Sequence, residues 1–418
     1  MTAARHVEFV RGLVWADVPS PVRDRVRTLI ADLTAVCVAG RPAPASALAV
    51  EHASAIHRGD DSTALLDGRR LNAVGAAWAN GVLANVLDMD DGHRLTKGHP
   101  GAIVIPAALA VAESVGAPEE ELLAAIVVGY EVAIRAGVAQ HARAAAYHAS
   151  GSWGAVGAAA AAARLLRLDA RATAHALSLA EYHGPIAPIM RSVAQPAMTK
   201  DACGWGAATG VSSALLAARG FTALQAEYLA TDASDLGAVW RLQELYVKAY
   251  PCCRWSQAAI RAALDAGGRL ASVERVVVRT FAAAAALSRV RPATTEEAQY
   301  NLVWPVAAAI ATGTFGVPEA LGSWEDPTIG AIAERVEIVV DEAMTAAFPA
   351  RRLTAVEIVR ADGTVASAGP VEARGEPDDP GWEDVVAEKV SALVDAARDL
   401  PGLPEALRSA VDGLLARA

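Results

Sequence analysis

The sequence predicts a mainly α-helical protein: a large all-helical domain with a smaller α+β domain after it. Three observations carry this expectation. Aromatic residues make up only 5% of a chain that is 53% hydrophobic, so the apolar content is small and aliphatic, which suits close-packed helices better than a sandwich or barrel. Helix starts and stops punctuate the chain as far as Gly267. Beyond that point, β-branched runs of strand length appear.

The elements follow in chain order. In "PSPVRDRVRTLIADLTAVCVAG" Ser20 reads as an N-cap and Pro21 as the first helical residue. Val22, Val26, Leu29, Ile30 and Leu33 form one apolar stripe, and Gly40 closes the helix. "PEEELLAAIVVGYEVAIRAGVA" and "TKDACGWGAATGVSSALLAARGFT" repeat the pattern. "ERVVVRTFA", "ERVEIVVDE" and "LTAVEIVRADGTVASAG" read as strands, the last a hairpin turning around Asp362-Gly363. Helical patterning resumes at "WEDVVAEKVSALVDAARDL". The expected units are 1–267, all-helical; 268–384, α+β; and 385–418, terminal helices that return to the helical body.

Charge and cysteine usage exclude several function classes. A net charge of −10, a pI near 5.4 and the lack of any basic run longer than two residues argue against nucleic-acid and anionic-membrane partners. The longest uncharged runs are rich in Gly, Ser and Ala and broken by Pro or His, which fits buried helices rather than spans. The amino terminus lacks a cationic-then-apolar signal pattern, and Cys37, Cys203, Cys252 and Cys253 form no CxxC pair. The expectation is a cytoplasmic protein with free thiols.

One segment breaks the apolar character. "NVLDMDDGHRLTKGHPGAIVIP" holds three carboxylates, two imidazoles, an arginine and a lysine between Asp88 and His99. If "NGVLANVLDMDD" ends a helix capped by Gly92, Asp88 and Asp91 share a face and Asp90 points elsewhere. His99 precedes Pro100 and is biased toward extended backbone, and the chain re-enters a buried helix around Pro106. Acidic groups at a helix C-terminus oppose the dipole, so another influence must favour them. Two readings stand: a solvated helix end, or an active-site loop whose carboxylates tune histidines.

Three further segments bear on that choice. "YHASGSWGAVGAAAAAARLL" places His148 at the head of an alanine-rich helix, where it either caps and packs or faces a ligand. In "MTKDACGWGAATG" Thr199 reads as the cap and Lys200 as a first-turn cation; the dipole lowers its pKa unless it only reaches solvent beside Asp201. "LYVKAYPCCRWSQAAIRAAL" gathers Lys248, Tyr250, Cys253 and Arg254 before a helix.

Taken together, "LDMDDGH…HPG…IPAALAVAE", "GYEVAIRAG", "HASGSWGAVGAAAAAARLLRLD", "KDACGWGAATGVSSALLAARGFT" and "KAYPCCRW" resemble the MmgE/PrpD family, in order, from about residue 10 to about 390. That family includes 2-methylcitrate dehydratase, cis-aconitate decarboxylase and iminodisuccinate epimerase. The resemblance implies a helical domain with an α+β lid, a homodimer, a site in the cleft between the domains, and no metal or organic cofactor. It matches Asp88, His99, His148, Lys200 and Lys248 to the family's site residues. Departures stand at Gly92, where threonine is common, at Cys253 and at Trp304, and a "YHGP…MR" segment adds His183 and Arg191.

The implied chemistry takes place beside a carboxylate, where loss of a proton or CO2 leaves negative charge for Lys and Arg to neutralise. The expected catalytic residues are His99, His148, Lys200 and Asp88; the expected substrate contacts are Lys248, Arg254, Arg191, Tyr250, Asp91 and His93. The favoured activity is a dehydratase acting on a small di- or tricarboxylic acid, with epimerase or decarboxylase activity as the alternative. Two rival classes remain: a divalent-metal enzyme using the Asp88–Asp91 cluster, and a binding protein without catalysis.

Overall fold

The computed structural model describes residues 2–268, 272–394 and 404–415. Its main core is a stack of the helices Ala73–Asn85, Gly101–Val115, Glu119–Arg143, Ser150–Leu165 and Cys203–Ala218. Every residue of Ser150–Leu165 is buried, which accounts for a helix without a polar face. Small side chains set the spacing: a Cβ on Gly157 would strike the carbonyl of Gly129 on the neighbouring helix. The Glu119–Arg143 helix is long and apolar enough to cross a membrane, but 83% of its apolar window is buried inside the fold.

Two short antiparallel ribbons interrupt the helical body, so the all-helical expectation is corrected there. Ser62–Thr63 (β1) pairs with Arg70–Leu71 (β2), and Gly92–His93 (β3) pairs with Leu245–Tyr246 (β4). Pairs this short carry no sequence periodicity. The larger sheet has the order β6-β5-β7-β8, with β5 Val273–Thr280, β6 Val336–Val340, β7 Thr354–Arg360 and β8 Val365–Val371. Only β5 and β6 run parallel. The β7–β8 hairpin turns at Gly363, whose φ of 79° suits the glycine read there.

The Arg254–Asp265 helix packs on this sheet with Val303–Thr312, although it was expected in the 1–267 body. Its apolar period is the same whichever core it meets. The Trp382–Val394 and Glu405–Leu415 helices pack on Ser20–Gly40; of the expected 385–418 unit, 395–403 and 416–418 lie outside the described residues.

Local starts also differ. Pro19, not Ser20, is the N-cap of the first long helix, and the helix holding Pro106 begins at Gly101. The stripe Val22, Val26, Leu29, Ile30 and Leu33 is buried as read.

A buried ion pair ties the Trp382–Val394 helix to the body. Lys389 meets Asp32 and also donates to the Met89 carbonyl at 3.0 Å, in the loop that carries the acidic cluster. Lys389→Met is expected to cost about 3–5 kcal/mol, because Asp32 would be left charged and unpaired. Burial raises the Asp32 pKa, with Lys389 opposing it, so most of the loss should return in Asp32→Asn/Lys389→Met. Urea denaturation of the single and double variants checks this.

Candidate active site

The charged segment is a loop, not a helix end. The helix stops at Asn85, Gly92 lies in β3 rather than capping a helix, and Asp88 takes a left-handed φ of 52°. Such a conformation costs a non-glycine residue roughly 1–3 kcal/mol. It is held by Lys248, whose Nζ lies 2.7 Å from the Asp88 carbonyl and 2.6 Å from its Oδ1. The β3–β4 pairing sets Gly92 opposite Tyr246 and so delivers Lys248, two residues on, to the loop.

His99 lies at the centre. Its Nδ1 is 3.1 Å from Asp90 Oδ2 and 3.1 Å from the Asp91 carbonyl. Its Nε2 is 3.3 Å from Asp88 Oδ1 and 3.8 Å from Asp201 Oδ2. Burial opposes a charged imidazole, but Asp90 and Asp201 outweigh it and push His99 up to about 9. Burial would likewise raise Asp90; His99, Lys248 and a 3.0 Å hydrogen bond from Asn85 Nδ2 hold it down to about 2. The residue read as pointing elsewhere thus steadies the imidazole, while Asp88 sits at the ring's other nitrogen.

Asp201 comes from a tight turn before the Cys203–Ala218 helix. Lys200 and Ala202 on either side have φ of 41° and 54°. Asp201 accepts from Ser150 Oγ at 2.8 Å and from Tyr300 Oη at 3.2 Å, and Ser150 Oγ also accepts from the His99 backbone N–H at 2.9 Å. Of the seven non-glycine positive-φ residues described, Asp88, Lys97, Lys200 and Ala202 belong to this site or its edge. Strain held in place by surrounding contacts commonly marks function.

These groups face a cavity of about 220 Å3 between the main helical core and the elements packed on the larger sheet. Lys97, Lys248, Arg254, Arg352 and His99 line it against Asp88 and Asp201, and Met190, Trp255 and Phe348 give it apolar walls. Cations outnumber anions there although the whole chain is acidic. Such a lining favours an anion.

Not every expected residue faces this cavity. Lys200 is buried beside it, with Nζ on the Val86 carbonyl and Gln299 Oε1, and lines a larger apolar cavity of about 440 Å3 with Leu48, Trp78 and Trp205. It precedes the helix rather than opening it, the N-cap is Ala202 rather than Thr199, and burial is the main reason its pKa falls. His148 lies outside the lining, its N–H on His141 Nε2 at 3.0 Å and its ring stacked on His141. Asp91 is a structural anchor, bonded to Tyr130 Oη at 2.5 Å and to the Gly101 N–H at 3.0 Å. His93 alternates to the other face of β3 and meets Glu244 at 3.1 Å. Arg191 is exposed, and Tyr250 packs into the second core.

Sequence reading missed Asp90, Asp201, Lys97, Tyr246, Tyr300 and Arg352. Among the departures, Trp304 is a core residue with 1% exposure, and Tyr300, four residues earlier, supplies the phenol in the cavity. Gly92 has a steric cause: a Cβ there would collide with the Tyr246 hydroxyl, which occupies that space. Gly92→Ala is expected to cost about 1–3 kcal/mol by overpacking and to lower activity by displacing Tyr246; thermal denaturation and turnover check both.

Asp88, Asp90 and His99 could together offer ligand atoms to a cation, since these atoms lie within 4.8 Å of one another. Lys248 already brings a cation to this cluster, its Nζ 2.6 Å from Asp88 Oδ1.

The structure thus combines a mainly helical body with a small mixed sheet, and sets a buried carboxylate–imidazole–amine cluster against a cavity lined mostly by cations. The MmgE/PrpD N-terminal domain model matches residues 5–237 and the MmgE/PrpD C-terminal domain model matches 250–399. The chain belongs to the MmgE/PrpD family, whose members are generally enzymes acting on carboxylic acids, with dehydratase- or lyase-like activity. No curated protein matches the chain.

Proposed function

We propose that this protein is a carbon–oxygen lyase of the 2-methylcitrate dehydratase type, acting on a small di- or tricarboxylic acid without a metal or organic cofactor. One observation carries the reading: a buried His99, held between Asp88 and Asp90, lines a cavity whose other charged groups are mostly Lys and Arg. In the proposed step Asp201, the lining carboxylate not tied to a lysine, takes the proton from the carbon beside the substrate carboxylate. A C=C bond forms, the β-hydroxyl leaves, and His99 donates the proton that makes it water. Lys248 and Lys97 neutralise the charge that spreads onto the carboxylate. Asp90 keeps the ring oriented, as a buried carboxylate does for a catalytic histidine.

Epimerase and decarboxylase chemistry use the same carbanion, so product identity decides between them. Incubating the protein with a panel of di- and tricarboxylates in D2O and following it by NMR tests the proposal. Loss of water with deuterium entering beside a carboxylate on reversal supports it. Deuterium entry with inverted configuration, or release of CO2, reassigns the reaction. No exchange with any carboxylic acid overturns it.

The partner in this reading is a second copy of the chain, and the location is the cytoplasm. Leu48, Met198 and Trp205 are 54%, 45% and 54% exposed around the larger cavity, an apolar face that a homodimer would cover. Sedimentation velocity giving only the monomer mass would remove that part.

A further inference from the structure

The geometry points to a second carboxylate subsite in the His99 cavity, built from Arg254 and Arg352 and reading a carboxylate remote from the reacting carbon. Arg254 opens the Arg254–Asp265 helix and Arg352 stands just before β7. Both side chains are 4% exposed, and both guanidiniums flank the ring of Tyr246, at 4.4 and 5.3 Å from its centroid. Both line the cavity that His99 faces.

Their charge is incompletely met. The Glu376 carboxylate lies 2.8 Å from Arg254 Nη2, 2.8 Å from Arg94 Nη2 and 3.9 Å from Arg352 Nη1, so three guanidiniums share one anion. The hydrogen bonds are also incomplete. Arg254 Nη1 donates to the Val247 and Arg374 carbonyls at 3.0 and 3.1 Å, which fixes that side chain. Its Nη2 is held by Glu376, but its Nε, and Nε and Nη1 of Arg352, are buried and make no hydrogen bond. Native interiors rarely leave three such donors together unsatisfied. The acceptor that meets both deficits is a second carboxylate, whose two oxygens match a guanidinium fork.

With Lys97, Lys248 and His99 also in the lining, the cavity recognises two carboxylates of one substrate: one adjacent to the carbon that loses its proton, the other on the arginines. This deepens, and rests on, the reading that the substrate is a carboxylic acid. It makes Arg352 a specificity residue that excludes monocarboxylates.

Titration calorimetry of the full-length protein with succinate and with succinamate, which replaces one carboxylate by an amide, tests this. The wild-type protein should bind succinate about tenfold more tightly or better, the effect of losing hydrogen bonds to a charged group. Arg352→Gln should lose that preference, weakening succinate about tenfold while leaving succinamate within about twofold. Arg352→Lys, which keeps the charge but not the fork, should fall between the two. Equal wild-type affinities, or equal weakening of both ligands in a folded Arg352 variant, would overturn the subsite and leave the dehydratase reading standing. If Arg352→Gln does not fold, the wild-type ratio and Arg352→Lys decide. Wild-type protein that binds neither probe sinks the carboxylate reading and the subsite with it.

Discussion

His99→Gln is expected to lower turnover about 10²- to 10⁴-fold, the range of a lost general acid or base, with helix content and mass unchanged. Glutamine roughly keeps the volume but cannot carry the proton. The wild-type pH profile gives an independent reading. With the imidazole raised to about 9, activity that needs the imidazolium should persist through neutral pH and decline as pH rises through about 9. Stability follows the same sign. The folded pKa lies above the ordinary value of 6.5, so the contribution is complete below about 6.5 and is lost on rising through about 9. Denaturation at pH 6 and pH 10 should show this loss in the wild type and not in His99→Gln. Wild-type turnover in the variant would mean that His99 is not the proton carrier.

The second large effect belongs to Lys248. Lys248→Met is expected to cost about 3–5 kcal/mol, because Asp88 would lose the lysine paired with it inside a buried site. Burial by itself would lower the lysine's pKa, but Asp88 and Asp90 together raise it, so at neutral pH the amine is charged and the pair is ionic. The loss should be more than electrostatic, since Nζ also grips the Asp88 carbonyl and holds that residue's left-handed backbone. Asp88→Asn/Lys248→Met should recover part of the stability but none of the activity. Urea denaturation of the three proteins measures it; a single-variant loss below about 1 kcal/mol would show that the loop is held by other contacts.

The site was legible where its signal was local. Asp88 and His99 lie in one conspicuous charged segment, and Lys248 follows a strand that pairs with it. Lys97 was in the same segment but was read as part of a charge cluster, because only the fold places its amine 3.5 Å above the Tyr147 ring at the cavity edge. Asp201 was read as offsetting Lys200; its link to Ser150, 51 residues away, leaves no trace in spacing. Arg352, beside Arg351 in "FPARRLTAV", lies outside every segment singled out in the sequence. The helix assumed through Asp91 failed because apolar periodicity continues past Asn85 while Lys248 and Asn85 stabilise a turn instead.

What the sequence determined by itself was the class of fold, the order of its elements and the presence of one charged loop, because helical period, strand alternation and composition act over a few residues at a time. Which carboxylate holds His99, which lysine faces the cavity and which arginines lack an acceptor were decided only in three dimensions. Proton affinity and hydrogen-bond satisfaction depend on distances of about 3 Å between groups that lie anywhere from a few to hundreds of residues apart along the chain.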